Sequence, residues 1–388
     1  MDNDKLVSKQ ECCGCGACYS ICPKNAISMK YDEEGFEYPV IDDKICVNCN
    51  SCSKVCPVQN HVCESEFKVQ AFAAYNLKEE QRLQSSSGGI FPLIAEYFLQ
   101  NGGVVYGAAF TDNFEVEHIG ITRMSELKRL QGSKYVQSRL GRIFLDVKDA
   151  LLDNKIVLFS GTPCQVEGLK SFLIKDYNNL YTIDLVCHGV PSPIIWQKYL
   201  NEEYGIDSIT YINFRDKKNG WANYDLQVSA NTESSHEPNP IAIYKEDYLR
   251  GFLKELYLRP SCHNCSFKRI KHVSDITLGD LWGNKTICPD FADDNKGISA
   301  VFVQSKKGEL LLEQIESMVK IQSIDIKNVI RNNMAMVESA KPHTKRRNFF
   351  EEIKKNDVTV IKLIHKYIGP SLRKRISVYL KNKFKKQV

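Results

Sequence analysis

The chain has 388 residues, of which 43% are hydrophobic, and a formal net charge of +5. This length predicts two or three domains with ordinary globular cores. The sequence contains no run of 18 apolar residues, which excludes a membrane-spanning helix, and its N-terminal stretch MDNDKLVSKQ lacks the apolar core of a signal peptide. Because the chain also holds 15 cysteines, we expect a protein of a reducing compartment, the cytoplasm.

Eight cysteines near the N-terminus repeat one spacing, C-x2-C-x2-C-x3-C, each time followed by proline. This is the spacing of bacterial ferredoxins with two 4Fe-4S clusters, in which the fourth cysteine of each run ligates the other cluster. A zinc site uses four ligands, usually as C-x2-C pairs, and a disulfide scaffold would not repeat the pattern. We therefore predict one cluster on Cys12, Cys15, Cys18 and Cys56, and a second on Cys46, Cys49, Cys52 and Cys22.

The predicted elements begin with a ferredoxin-like module over residues 1–65, in which AISMK and YPVID read as short strands around a turn. Residues 66–155 then contain a strand (AFAAY), a serine–glycine loop that caps a helix (IFPLIAEYFLQ), two paired strands (VVYGAAF and EVEHIGIT) and two further helices. Over residues 156–335, strands alternate with helices, which favours a parallel or mixed sheet. The fold class expected is thus an α+β ferredoxin-like dicluster module followed by a mixed α/β domain over 66–335.

A second set of cysteines lies in the predicted α/β domain. Cys164 follows one strand and Cys187 ends the next, so both should lie at the same edge of the sheet. The predicted helix EDYLRGFLKELYL delivers a C-x2-C knuckle, Cys262 and Cys265. Four soft ligands could hold a third 4Fe-4S cluster or zinc. Alternatively, Cys164 could be a low-pKa nucleophile at a helix N-terminus, or the thiols could simply be buried in the core.

Three cysteines have no evident partner, and we predict that they are spare thiols: Cys13, Cys63 and Cys288.

Several motifs of the α/β region resemble the family of coenzyme F-420 hydrogenase/dehydrogenase beta subunits. They occur in the family's order over about residues 70–305: SGG at 87–89, GSKYVQS at 132–138, GTPCQ at 161–165, CHGVPSP at 187–193, the knuckle at 262–265 and SDITLGDLWG at 274–283. The N-terminal module is similar to the fused form found in many anaerobic bacterial members. The resemblance implies an FAD-binding α/β domain with a 4Fe-4S cluster beside the flavin. The archaeal substrate, a deazaflavin, is not carried over, because no residue here specifies a pocket for it.

The resemblance also implies which loops surround FAD, and each has a plainer structural alternative. The segment Ser87, Gly88 and Gly89 precedes a helix whose N-terminus could bind the pyrophosphate, or it is an ordinary cap. Other expected contacts come from a flexible turn with a cation, from the GTPCQ segment and from a turn carboxylate: Gly132, Ser133, Lys134, Thr162, Gln165 and Asp280. His188 is a candidate proton donor or a structural histidine.

Residues 336–388 are expected to form a basic tail, and 341–388 alone carry 15 Lys and Arg against three Asp and Glu. Five apolar residues recur there at helical spacing: Leu372, Ile376, Tyr379, Leu380 and Phe384. Such a helix could contact an anionic membrane surface at the inner face, bind an acidic partner, or pack on the body of the protein. Nucleic acid is not expected as a partner, because the rest of the chain is net acidic.

The leading functional prediction is an iron–sulfur flavoprotein oxidoreductase that moves electrons between 4Fe-4S clusters and FAD to reduce or oxidise a small organic substrate. The alternative is an electron-transfer subunit that serves a partner enzyme, with a link to polysaccharide biosynthesis as one setting. A redox-sensing protein is a third hypothesis.

Overall fold

The computed structural model describes residues 5–62, 66–231, 241–245, 247–289, 291, 294–355 and 357–370. Cys63 and the five apolar residues of the expected tail helix lie outside the described residues.

The strands of the described chain form three sheets. They are β1 (Ile27–Tyr31), β2 (Glu37–Ile41), β3 (Gln70–Asn76), β4 (Val104–Phe110), β5 (Val116–Ile121), β6 (Val157–Gly161), β7 (Leu180–Leu185), β8 (Ile209–Asp216), β9 (Asp225–Ala230), β10 (Ile241–Lys245), β11 (Ile276–Asp280), β12 (Ser299–Val303) and β13 (Val319–Ser323).

The helices alternate with these strands through most of the chain. They are α1 (Ala17–Ile21), α2 (Ser51–Lys54), α3 (Glu79–Gln84), α4 (Ile90–Gln100), α5 (Leu127–Leu130), α6 (Ile143–Leu152), α7 (Pro163–Leu173), α8 (Pro193–Tyr204), α9 (Asp247–Leu253), α10 (Asn284–Ile287), α11 (Lys306–Ile315), α12 (Ile326–Asn332), α13 (Arg346–Ile353) and α14 (Val360–Ile368).

The main sheet has eight strands in the order β13-β3-β12-β11-β7-β6-β4-β5. The four strands β11, β7, β6 and β4 are parallel neighbours, and antiparallel strands flank them on both sides. Strands from both halves of the region 66–335 therefore share one sheet, as a mixed α/β domain requires. Helix α4 packs on one face of the sheet, and α6 and α7 pack on the other.

The helix that opens the GTPCQ segment shows why this part of the chain folds as it does. Pro163 occupies the first turn of α7, where its missing N–H costs nothing. Thr162 and Gln165 form a capping box, in which each side chain accepts a hydrogen bond from the other residue's backbone N–H. Helix α4 starts differently from the prediction: it begins after Gly89 in a left-handed conformation (φ 81°), and no serine side chain caps it.

The knuckle is also delivered differently from the prediction. Helix α9 ends at Leu253, and Glu255 has a positive φ of 55°, which stops the helix. Cys262 instead lies in a 3-10 turn over Pro260–Asn264, and Cys265 directly follows it.

A second core lies around the three-stranded sheet of β8, β9 and β10 and is rich in aromatic side chains. Helices α13 and α14 pack into this core through Phe349, Phe350 and Leu363, each at most 3% exposed. The first part of the expected tail, through residue 368, is thus folded onto the body, and only the residues after 370 remain as a candidate tail. In the part of the chain that the structure covers, no helix has the length and apolar character needed to cross a bilayer.

Candidate functional site

A large cleft lies at the carboxyl ends of the four parallel strands. Its cavity volume is about 480 Å³, which is in the range of cofactor sites. Ala108 of β4, Gly161 of β6, Leu185 of β7 and Asp280 of β11 all line it. Ligands of open α/β sheets bind at this edge because the loops that follow parallel strands converge there.

The cleft brings together nearly all of the residues that were expected around the cofactor. Those lining it are Ser87, Gly89, Gly132, Ser133, Lys134, Thr162, Gln165, Asp280 and His188.

Gly88 is the exception, because it is turned into the sheet. A Cβ on this residue would lie 2.5 Å from the Ala74 carbonyl oxygen and 2.7 Å from the Ser299 backbone nitrogen. Its backbone N–H donates to the Ser299 hydroxyl at 2.9 Å. Gly88 therefore allows the loop to pack closely on β3 and β12, and it does not line the cleft.

Hydrogen bonds between loops hold the cleft in shape. The Ser133 backbone N–H donates to the Ser86 hydroxyl at 2.7 Å, which ties the 132–134 turn to the serine loop. The Gln165 amide donates to the Ser138 hydroxyl at 2.9 Å while its oxygen completes the capping box. Both polar atoms of the Gln165 side chain therefore already have hydrogen-bond partners within the protein. Gln165 lines the cleft, and its expected contact with the cofactor stays a prediction.

Lys134 places a half-buried amine at this site. Its Nζ donates to the carbonyl oxygens of Arg129 (3.0 Å) and Gln131 (2.9 Å), and it has no carboxylate partner within the described ranges. Burial lowers the pKa of Lys134 to about 7. An anionic group in the cleft would raise that pKa and hold the amine protonated.

Arg215 is a cleft residue that sequence reasoning missed. Its guanidinium bonds the Asp280 carboxylate at 2.8 Å and the Tyr135 hydroxyl at 3.1 Å, and it lies 3.8 Å from the Tyr224 ring centre. Asp280, expected to contact the cofactor, is thus held by an arginine 65 residues away. The signal in the sequence is weak, because Arg215 sits in a hairpin strand with no motif around it.

The dicluster module contains two thiol-lined cavities. Four of the cysteines that line the first are Cys12, Cys15, Cys18 and Cys56, and those that line the second are Cys22, Cys46, Cys49 and Cys52. Each cavity therefore combines three cysteines of one run with the fourth of the other, the arrangement expected from the spacing. Gly14 and Gly16 have positive φ angles of 71° and 72°, which allow the first loop to curl around its cavity.

The second set of cysteines surrounds a third cavity. Cys164 at the start of α7, Cys187 after β7, and the pair Cys262 and Cys265 all line it. In the described residues no three His, Cys, Asp or Glu side chains converge on one point where a single metal ion would bind. The four thiols are instead spaced around a shared volume.

Cys13, expected to be a spare thiol, lines both the first and the third cavity. Its thiol is within hydrogen-bonding range of Cys15 and Cys164. The structure therefore places this residue between two thiol-lined cavities. Cys288, by contrast, is fully buried in an apolar core away from all of them.

The electrostatics of the third cavity favour an anionic occupant. Burial raises the pKa of Cys187 to about 12 and that of Cys265 to about 11, so bare thiols there would be protonated. The cations of Lys268 and Arg269 act in the opposite direction and favour the thiolates. Lys268 donates to the carbonyl oxygens of Cys187 and Ala335. Arg269 is paired with the buried Glu167 carboxylate, so Arg259 and Lys268, which line the cavity, are the cations that face the four thiols.

The third cavity and the cleft share a wall. Thr162, Gln165 and the segment Val186–Val190 line both of them. His188 lies in this wall, and its Nε2 is 3.3 Å from the Glu255 carboxylate. Burial lowers the pKa of the His188 imidazole, whereas a neighbouring carboxylate favours the charged form. Its role, as a proton donor or as a structural histidine, stays a prediction.

His272 is a second residue that the sequence analysis did not single out. It lines the third cavity, is 5% exposed, and its Nδ1 lies 2.8 Å from the Asp184 carboxylate. The charge of Asp184 raises the pKa of His272 against the effect of burial.

Comparison with known families assigns both regions. Residues 11–60 match the 4Fe-4S dicluster domain, and residues 154–329 match the family described as the C terminus of the coenzyme F420 hydrogenase/dehydrogenase beta subunit. The chain carries both family domains. It is an iron–sulfur protein of the electron-transfer class, and its cysteine-lined cavities and cleft fall within or beside these two matches.

Curated relatives match over most of this chain at low identity. The chain is 22% identical over 337 residues to the F subunit of the F(420)H(2) dehydrogenase of Methanosarcina mazei, covering 82% of this chain and 86% of that protein. It is 19% identical over 316 residues to the coenzyme F420-dependent sulfite reductase of Methanocaldococcus jannaschii, covering 81% of this chain. The chain spans about half (47%) of the length of that reductase.

Among solved structures, the F420-reducing (NiFe) hydrogenase complex from Methanosarcina barkeri contains a similar chain. The match has 17% identity and a TM-score of 0.47, and it covers 70% of this chain and 93% of that one.

Proposed function

We propose that this protein is an iron–sulfur flavoprotein that passes electrons between its dicluster domain and FAD bound in the cleft, through a third 4Fe-4S cluster on Cys164, Cys187, Cys262 and Cys265. The observation that carries the proposal is the continuous series of sites. The first and third cavities share Cys13, and the third cavity shares its wall with the cleft. Electron transfer needs redox groups in close succession, and this series supplies positions for them.

The third cavity offers four thiols and two cations, Arg259 and Lys268, in its lining. A zinc ion on the same four thiols is the alternative occupant, and it would hold them at about 2.3 Å from one point. The cations that face the cavity suit a cluster, because four thiolates make such a group an anion. The four cysteines come from the start of α7, from the loop after β7, and from the 3-10 turn together with the residue that follows it, so the folded α/β domain itself sets their spacing.

The cleft suits a flavin in size, position and lining. FAD, when bound, supplies the exchange between one-electron and two-electron transfer. On the protein side, the serine loop and the 132–134 turn line the cleft, and the amine of Lys134 is the cation there that a pyrophosphate would contact. The rings of Tyr135, Phe252 and Trp282 offer flat apolar surfaces to an isoalloxazine. Arg215, paired with Asp280, also lines the cleft.

The proposal is tested by following electrons into the flavin. The full chain is reconstituted anaerobically with iron, sulfide and FAD, and a reduced ferredoxin is mixed with it in a stopped-flow instrument while flavin absorbance is recorded. We expect bound flavin and fast bleaching in the wild type, and bleaching at least tenfold slower in Cys12→Ser, which breaks the first cavity. Cys288→Ala, a buried thiol outside the series, is the matched control. Absence of bound flavin, or equal rates in Cys12→Ser and wild type, contradicts the proposal.

A second candidate function, an electron-transfer subunit that serves a partner enzyme, is favoured by the surface around the second cavity. Cys49 is exposed there, and Ile45 and Val47 are 47% and 56% exposed. Apolar residues beside an exposed cluster ligand suit docking of another redox protein. Turnover of a small substrate by the purified chain alone with an artificial donor favours the flavoenzyme, whereas turnover only with an added partner protein favours this alternative.

A further inference from the structure

Arg259 is a buried arginine at the junction of the dicluster module and the α/β domain. It is 1% exposed. Its guanidinium donates to three neutral oxygens: the Cys12 carbonyl (2.8 Å), the Gln137 side-chain oxygen (2.8 Å) and the Glu37 carbonyl (2.9 Å). The hydrogen bonds of the group are thus satisfied, but its charge is not balanced by them.

No ion pair to Arg259 occurs in the part of the chain that the structure describes. The half-buried Glu37 senses its charge: burial raises the pKa of the Glu37 carboxyl, while Arg139 and Arg259 act against that shift. The rings of Tyr38 and Phe36 lie 4.3 and 5.4 Å from the guanidinium carbon and screen it from water. Because a buried charge is costly unless it is paired, a counter-charge is expected nearby.

The spaces next to Arg259 are two thiol-lined cavities. On one side, a Cβ on Gly14 would lie 2.8 Å from Arg259 Nη1, so the guanidinium packs directly on the loop of the first cavity. On the other side, Arg259 lines the third cavity together with Cys164. The unpaired cation therefore lies between two sets of cysteines.

We propose that Arg259 is the shared counter-charge of two 4Fe-4S clusters, one on the Cys12 set and one on the Cys164 set, and that it raises the reduction potential of both. This inference rests on the function proposed above. A cluster with four thiolate ligands gains one more negative charge when it is reduced, and a nearby buried cation stabilises that state. Because one guanidinium acts on both clusters, its loss should shift both potentials in the same direction.

The test measures midpoint potentials by redox titration followed with electron paramagnetic resonance. Arg259→Gln removes the charge. Gln137→Glu leaves the arginine in place and adds a carboxylate oxygen 2.8 Å from its Nη1, which balances the charge and removes the hydrogen bond from the Gln137 amide to the Cys13 carbonyl (3.2 Å). In both variants, we expect both clusters to become harder to reduce by at least tenfold in the reduced-to-oxidised ratio, which is about 59 mV for a one-electron couple. Arg259→Lys keeps the charge and should keep most of the potential.

Arg142→Gln is the matched control. Arg142 also joins the two domains, through Tyr19 and Asn25, but it is exposed to solvent. Its loss should leave both potentials unchanged, since exposed charges are screened.

The outcomes separate this inference from the proposed function. If the wild type lacks iron at the Cys164 set, the proposed third cluster does not exist, and Arg259 cannot be the counter-charge of two clusters. If the wild type holds all its clusters and the potentials do not move in Gln137→Glu, the inference alone is overturned. Equal falls in Arg259→Lys and Arg259→Gln would also overturn it, because they would trace the effect to hydrogen bonding instead of charge. Should Arg259→Gln not fold, Gln137→Glu and Arg259→Lys still decide the question.

Discussion

Replacement of Gly168 by alanine tests how tightly the two domains fit together. Gly168 lies in helix α7 and faces the loop of the first cavity. A Cβ at this position would lie 2.7 Å from the Cβ of Cys15 and 3.0 Å from its Sγ, and 3.6 Å from Phe144. The contact with Phe144 is ordinary, but the contact with Cys15 is closer than carbon and sulfur atoms tolerate.

The magnitude follows from two opposing effects. Alanine gains about 1 kcal/mol of helix propensity over glycine. Overpacking a filled site costs about 1–3 kcal/mol, and the upper part of that range applies because Arg259 anchors the neighbouring Cys12 carbonyl and leaves the loop little room. We expect a net destabilisation of about 1–2 kcal/mol around Cys15, which corresponds to roughly tenfold faster loss of that cluster, since 1.4 kcal/mol equals a factor of ten.

The assay is an anaerobic chelator challenge, with cluster absorbance followed over time. Ser171→Ala on the same helix is the control, because the buried Ser171 hydroxyl has no hydrogen-bond partner among the described residues and its removal adds no atoms. A Gly168→Ala protein that is more stable than wild type and loses its clusters at the wild-type rate would refute this packing between α7 and the Cys15 loop.

Three further predictions concern other parts of the chain. Cys22→Ser should damage the cluster whose other ligands are in the second run and spare the Cys12 set, and electron paramagnetic resonance that shows the reverse would contradict the assignment. Burial lowers the pKa of His118 to about 4, so its imidazole stays neutral in the folded protein. In the unfolded chain, the same imidazole takes up a proton near pH 6.5. The free energy of unfolding should therefore fall by about 2 kcal/mol between pH 7 and pH 5. His118→Leu should flatten that slope in urea unfolding. Deletion of residues 371–388 should abolish salt-sensitive binding to anionic vesicles or an acidic partner and leave the cofactors intact. If the full-length protein shows no salt-sensitive binding to either, this prediction is wrong.

The sequence predicts best where chemistry imposes a fixed spacing. Two identical cysteine runs predict ligand sets that combine three cysteines of one run with the fourth of the other, and the same cysteines line the two cavities; their role as ligands stays a prediction. The alternation of strands and helices after residue 155 likewise predicts that Cys164 and Cys187 share one edge of the sheet. In both cases, the information is local, because a loop or a β-α-β unit is specified by neighbouring residues.

Contacts between residues that are far apart in the sequence cannot be predicted from local spacing. Arg259 bonds the carbonyl of Cys12 over 247 positions of sequence, and Arg215 reaches Asp280 over 65. Cys13 does not belong to either cysteine run, and its thiol lies near Cys164 because α1 packs against α7. Gly88 sits in a cleft-forming segment, yet the tight packing of β3 and β12 decides which way it faces.

The most direct test of the account is a full cofactor inventory of the anaerobically purified chain. Three four-iron sites predict about twelve iron and twelve acid-labile sulfide per chain, together with one FAD. In a Cys164→Ala, Cys262→Ala double variant, about four iron and four sulfide should be lost while the dicluster signals remain. A wild-type content near eight iron with zinc present, or a protein that binds no flavin, would contradict the series of redox sites proposed for this chain.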